Sequence, residues 1–553
     1  MRRSVAALVV TMLALAACGS GGPSENGGQR MSEPTGAPST GAPSTGAPNT
    51  GAPSATATPQ PPRSLAWGPT RDEYADAQAV VDDMSTEERA GQVIVATYQG
   101  TEPPVDLVGE LGLGGVILMG HNIEDAEQIR ASATAVQDAD ERDYPAIVAV
   151  DQEGGRVARV GDLGTEFPTY MTFGAAGSPD LAAEVARASG QELRALGFTM
   201  VFAPDADVTT GPDDPTIGSR SASSDPATVA ENVSASLAGY ADAGIVAVAK
   251  HFPGHGSVPA DSHEELPVQT AGADELRERD FVPFEAAVDA GAPGVMLAHI
   301  DVRSVDPGVP SSMSSDVVDL LRSDVGFDGL AVTDAQDMAA VTNAYDVGEA
   351  AVRSLGAGAD IVLMPADARA AHSAIVEAVE DGRLPAARLA EAATKGVAVM
   401  MHQKSAGKAP GSEVLGSHDD LSHEASLAGL TVVSGQCAGP LVGDSVQVAG
   451  GTDTDRQRFT EAARAAGFSV GSGAVVRLLG AETSAGSGDV VVALDTPYAL
   501  GDSEASTAKI ALYGRTPGAF RALAEVLAGD AEAGGSLPVD VEGVEGNEPE
   551  CHE

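Results

Sequence analysis

Ten histidines occur in 553 residues, and three of them, His251, His255 and His263, fall within one short stretch. The stretch reads Lys250-His251-Phe252-Pro253-Gly254-His255-Gly256 and runs on to Asp261-Ser262-His263. Imidazole titrates near neutral pH, so a histidine held by a carboxylate can give and take protons. A carboxylate partner can fix such a ring's tautomer, as the buried acid does in a hydrolase triad. A zinc site made of His251, His255, Asp261 and His263 is the competing chemistry. Its spacing matches no helical two-histidine motif, and Pro253-Gly254 precludes a shared helix face, so no metal or other cofactor is expected.

Other polar groups recur in the same position, just past short apolar runs. Asp151-Gln152-Glu153 follows one run, Asp205 and Asp207 another, His299 and Asp301 a third, and Thr333-Asp334-Ala335-Gln336-Asp337 a fourth. The runs lie at 92–98, 115–119, 146–150, 200–203, 245–249, 295–298, 329–332 and 359–364. Runs of this length bounded by breakers read as buried strands. Amphipathic segments at 179–196, 226–243 and 273–290 stand between them. Eight strands, each followed by a helix, predict a (β/α)8 barrel whose C-terminal rim collects the polar residues. An open doubly wound sheet is the alternative.

The Lys250–Gly256 stretch with Asp261-Ser262-His263 resembles the signature of bacterial β-N-acetylglucosaminidases of glycoside hydrolase family 3. So do Asp151-Gln152-Glu153-Gly154-Gly155, Ile217-Gly218-Ser219-Arg220 and Gly326-Phe327-Asp328-Gly329 leading into Thr333-Asp334. The likeness runs from about Met84 to Ala398. It implies a retaining exo-glycosidase with Asp334 as nucleophile and His263, paired with Asp261, as acid/base. It implies that Asp151, Arg220, Lys250, His251 and His299 hold the sugar. The structural alternative for Lys250 and Arg220 is a buried salt bridge that orients Asp151, and His255 is expected to brace the loop. Where the family often has an aromatic two residues past the arginine, this chain has Ala222, which leaves the pocket's detailed shape open. Terminal β-N-acetylglucosamine of peptidoglycan fragments or chito-oligosaccharides is the implied substrate. The rival functions are a β-glucosidase of the same family and a non-catalytic cell-wall sugar-binding lipoprotein.

Length and charge agree with this outline. The chain is long enough for two or three domains. A net charge of −48, with 32 Lys plus Arg, argues against a nucleic-acid partner, which needs a basic face. Arg2 and Arg3 precede a short apolar segment ending Leu15-Ala16-Ala17-Cys18-Gly19, the pattern of a signal peptide. That ending resembles a bacterial lipobox, which implies lipidation at Cys18 and a lipid-anchored, extracytoplasmic protein. Residues 19–70 read as a disordered tether, with Gly36-Ala37-Pro38-Ser39-Thr40 recurring in near copies. The barrel is placed at 71–405, a linker at 406–420 and a smaller α/β sandwich domain at 421–553. Cys437 and Cys551 could form a disulfide in an exported protein or remain two thiols.

Overall fold

The structure, a computed structural model, describes residues 64–436, 439–480 and 484–544. The signal-type segment with Cys18, nearly all of the proposed tether, and the pair Cys437 and Cys551 lie outside them. Among the described residues no helix is long and apolar enough to cross a membrane.

All eight apolar runs are strands. They are β1 (Ile94–Ala96), β2 (Gly115–Leu118), β3 (Ile147–Val150), β4 (Met200–Val201), β5 (Val246–Phe252), β6 (Gly294–Leu297), β7 (Leu330–Thr333) and β8 (Val362–Leu363). Each pairs in parallel with its neighbour in chain order, and β8 returns to β1. A bridge between Val332 and Ile361 joins β7 to β8 and closes the ring. Every residue of these strands is buried. A parallel strand covered on both faces has no polar side, which is why the runs are continuous rather than alternating.

Two of the expected helices, Pro179–Leu196 and Pro226–Ala243, carry proline at the first turn and end on left-handed Gly197 and Gly244. The third differs from expectation. Residues 273–290 form two helices, Ala273–Glu278 and Val282–Asp289, because Pro283 cannot donate to the preceding turn and restarts the helix instead. Strand β5 also runs further than expected, through Lys250 and His251 to Phe252, with a shift of register after Ala249. The ordered chain begins before Arg71. Trp67 is buried and packs edge-on against Tyr74 at 6.1 Å, so one indole draws the preceding residues onto the barrel.

The helix Ala386–Ser405 ends the barrel, and helix Asp419–Gly429 begins the second domain. Its strands are β9 (Thr431–Ser434), β10 (Ser445–Gly450), β11 (Ser469–Val470), β12 (Ala474–Leu479), β13 (Ser487–Ala493) and β14 (Glu504–Ala511). They lie in the order β9-β14-β13-β12-β10-β11, parallel except for the β9–β14 pair. One face packs against Phe459, Phe520 and Leu523 of two helices of its own domain. The other packs against Met171 and Ala175, on the helix Tyr170–Ala176 of the barrel half, and against Leu537 and Val539.

Candidate active site

The barrel's C-terminal rim surrounds a cavity of about 280 Å³. Asp151, Glu153, Arg159, Thr216, Arg220, Lys250, His251, His255, Ser262, His263, Asp334 and Asp337 supply its polar lining. Of the residues singled out in the sequence as catalytic or sugar-holding, Asp151, Arg220, Lys250, His251, His263 and Asp334 therefore meet in one place. Asp261 stands behind His263, and His299 does not reach the cavity.

Asp334 follows β7, and its carboxylate is nearly buried. One oxygen accepts the N–H of Ala335 at 2.8 Å, which fixes its direction. Burial alone would raise its pKa. The His251 and His299 rings, the Ala335 N–H and the Lys250 ammonium outweigh burial and hold the group below the usual carboxylate value.

Beside it is a chain of charges that composition and spacing did not assign. Lys250 Nζ lies 2.7 Å from Asp151 and 2.6 Å from Glu153. Arg220 grips both oxygens of Glu153 at 2.9 Å and approaches Asp205 at 3.5 Å. Glu153 is thus shared by two cations, and Asp151 by one. The salt-bridge alternative for Lys250 and Arg220 is the geometry found, with Glu153 at its centre. Burial opposes the Lys250 charge, but the Asp151 and Glu153 carboxylates prevail and hold its pKa at about 12. A Glu153→Gln change removes the carboxylate that two buried cations share, leaving Lys250 with Asp151 alone and Arg220 with only the more distant Asp205, and we expect it to cost about 3–5 kcal/mol in chemical denaturation.

His251 donates from Nδ1 to Asp207 at 2.7 Å, which leaves Nε2 to accept from Arg220 at 3.3 Å at the cavity wall. Asp205, Asp207 and His251 are the one group among the described residues whose atoms converge closely enough to hold a metal ion. They fit one poorly. The Nδ1 lone pair is engaged by its own proton, and a guanidinium already faces Asp205. The four-residue zinc set weighed from the sequence does not converge among the described residues.

The loop after β5 is shaped by close approach. A side chain at Gly254 would lie 2.5 Å from the Asp280 carboxylate, and one at Gly256 2.4 Å from the Val208 carbonyl. Those glycines are therefore there because nothing larger fits. His255 pairs through Nε2 with Ser262 Oγ at 3.0 Å, and the Ser262 carbonyl accepts from Ala340 N at 3.2 Å. The loop is thereby pinned on both sides of Ser262. Next to it, His263 donates from Nδ1 to Asp261 at 2.7 Å, and its side chain is 63% exposed. Its Nε2 is left for a partner in the cavity. Burial would raise the Asp261 pKa, but the backbone N–H and ring of His263 hold it low.

Burial pushes the His255 pKa down from 6.5 to about 4, and the neighbouring His251 ring acts in the same direction. The unfolded chain takes up that proton near pH 6.5 and the folded one only near 4, so His255 destabilises the fold progressively as pH falls across that window. Relative to His255→Gln, the wild-type protein should lose about 3 kcal/mol between these limits. Denaturant midpoints measured for both proteins across the window test this, and parallel curves would refute it.

Two placements correct or extend the sequence reading. His299 is fully buried, with Nδ1 on Ser312 at 2.7 Å and Nε2 on the Ala335 carbonyl at 3.0 Å, so it braces the loop that carries Asp334 and stands outside the cavity lining. Arg159 and Thr216 line the cavity and were not singled out, and each has a buried polar atom without a protein partner, Nε and Oγ1 respectively. Position 222, where an aromatic was missed, is buried away from the cavity. Among the described residues the lining holds no Phe, Tyr or Trp; Met119, Met296, Met338 and Met364, with Val157 and Leu363, supply its apolar wall.

The Glycosyl hydrolase family 3 N terminal domain matches residues 85–399. Beta-hexosaminidase A of Pseudoalteromonas piscicida is 34% identical over 398 residues, 65% of this chain and 66% of that protein, just under two thirds of its length. Beta-hexosaminidase LpqI of Mycobacterium tuberculosis is 34% identical over 341 residues, 60% of this chain and 87% of that protein. Among solved structures, a glycoside hydrolase family 3 β-N-acetylglucosaminidase from Paenibacillus sp. superposes with a TM-score of 0.75 at 28% identity. That match covers 83% of this chain and 99% of the Paenibacillus chain, so it takes in the second domain as well as the barrel.

Proposed function

The chain belongs to glycosyl hydrolase family 3 and is a glycoside hydrolase, and from that premise we propose that it is a retaining exo-β-N-acetylglucosaminidase. The observation that carries this reading is the pairing, on one cavity wall, of a fixed buried carboxylate with a solvent-facing histidine held by its own acid. In the first half-reaction, Asp334 attacks the anomeric carbon while His263 Nε2 protonates the departing glycosidic oxygen. In the second, His263 takes a proton from water, which displaces Asp334. Asp261 keeps the ring oriented throughout and stabilises its charged form. Asp151, Lys250, Arg220 and His251 supply hydroxyl partners, fixed in advance by Glu153 and Asp207, and Arg159 and Thr216 add donors. A cavity of about 280 Å³ suits one pyranose, in line with removal of single terminal residues, and the methionine wall offers an acetamido methyl apolar contact. The hexosaminidase names of the relatives point the same way.

Trapping is the direct test. A 5-fluoro N-acetylglucosaminyl fluoride should leave its sugar mass on the peptide containing Asp334. Turnover of the probe with no label, or a label on another acid, would refute the assignment.

The substrate reading is β-linked N-acetylglucosamine at the end of a peptidoglycan fragment or chito-oligosaccharide, and the location reading is a lipid anchor at Cys18. The lipobox-like Leu15-Ala16-Ala17-Cys18 and the Gly/Pro/Ser-rich segment after it support a tethered extracytoplasmic enzyme. In detergent phase separation the native chain should enter the detergent phase and Cys18→Ala should not.

A further inference from the structure

Asp337 is a fourth acid on the cavity lining, after Asp151, Glu153 and Asp334, and the reaction above gives it no task. It is exposed, three residues past Asp334, on the loop that follows β7. The short helix that ends this loop, Ala339–Thr342, supplies Ala340, whose N–H holds the Ser262 carbonyl at 3.2 Å, so the segments bearing Asp337 and His263 are joined. Asp337 therefore belongs to the part of the rim where nucleophile and proton donor meet, where the leaving group departs and the acceptor arrives. Its carboxyl is close enough to feel both Asp334 and the His263 ring. The cations lie elsewhere. Lys250 and Arg220 are held by Glu153, and Arg159 lines the cavity from the segment behind Asp151, where its backbone N–H donates to the Asp151 carbonyl at 3.4 Å.

We propose that Asp337 excludes anions from the acceptor position, so that the glycosyl-enzyme is passed to water or an alcohol and not to an anion such as inorganic phosphate. This rests on the retaining reading above. A neutral acceptor brings an O–H. Its oxygen bonds to the anomeric carbon, its proton passes to His263 Nε2, and the bond to Asp334 breaks with the electron pair returning to the carboxylate. Phosphate would form the same bond without needing a base. It would have to bring its negative charge up to Asp337 while Asp334 is regaining its own, and like charges in a partly desolvated site oppose that approach.

The partition of the intermediate reads this out. A nitrophenyl N-acetylglucosaminide loads the enzyme at pH 8, where the carboxyls are ionised, and methanol or inorganic phosphate is added as competitor. Wild type should give methyl glycoside in proportion to methanol and no detectable sugar 1-phosphate. Asp337→Asn and Asp337→Ser should raise the phosphate-to-water ratio by roughly tenfold or more while leaving the methanol-to-water ratio in place. Efficient sugar 1-phosphate formation by wild type overturns the proposal, as do variants that shift both ratios together or neither. Turnover that yields the inverted sugar would mean that no glycosyl-enzyme exists, and the retaining reading would fall first; retention with an unchanged partition removes only the role of Asp337.

Discussion

Replacing Asp334 with alanine should lower kcat on a nitrophenyl N-acetylglucosaminide by roughly ten-thousandfold or more, because no neighbouring group can form the glycosyl-enzyme in its place. Glu153 and Asp151 are neutralised by Lys250 and Arg220, Asp261 is engaged by His263, and Asp337 stands on the rim at the side where the acceptor arrives, not under the anomeric carbon. Sugar binding should survive, since the hydroxyl partners belong to other strands. The cavity left by the missing carboxylate admits a small anion, so added azide should restore part of the rate and give the α-azide, of opposite anomeric configuration to the normal product. Wild-type-like hydrolysis by Asp334→Ala would end the assignment outright. Rescue giving the β-azide would move the nucleophile elsewhere.

The second large effect concerns His263. Its loss should cost about 10²- to 10⁴-fold with leaving groups that need a proton, and far less with dinitrophenolate, which leaves unaided. A plot of rate against leaving-group pKa should therefore steepen in His263→Ala. Asp261→Asn should produce a milder version of the same slope, because the amide can still hold the ring but no longer stabilises its charge. Equal losses on all leaving groups would mean that His263 binds sugar and does not transfer the proton. The exposure of His263 is compatible with proton transfer, since a bound substrate would cover the face now open to water.

The barrel was legible because its strands are buried on both faces and so spell unbroken apolar runs between breakers. The residues meeting at the rim were legible because each follows such a run directly. Pairing was harder to read. Glu153 sits in full view between Asp151 and Gly154, but its place between Lys250 and Arg220 depends on three loops meeting and leaves no local signal. His299 misled for the opposite reason. Its position just past β6 matches that of the cavity residues, and the hydroxyl of Ser312 and the carbonyl of Ala335, on other segments, hold the ring inside. Arg159 lies eight residues past Asp151, beyond every motif at the rim, so nothing local marks it as part of the cavity. The split at Pro283 was written in the sequence; the amphipathic pattern on either side concealed it.

The second domain's sheet borrows its cover. Met171 and Ala175, from the barrel half, seal one face of a sheet whose own helices seal only the other. The two halves are thus not interchangeable modules. A gene fragment ending after Ser405 would encode a barrel bearing an oily scar, and a fragment starting there would encode a sheet with one side bare. Shuffling this barrel onto a different partner would first require recoding the helix Tyr170–Ala176 with polar residues, so that short helix is what ties the barrel to this particular sheet.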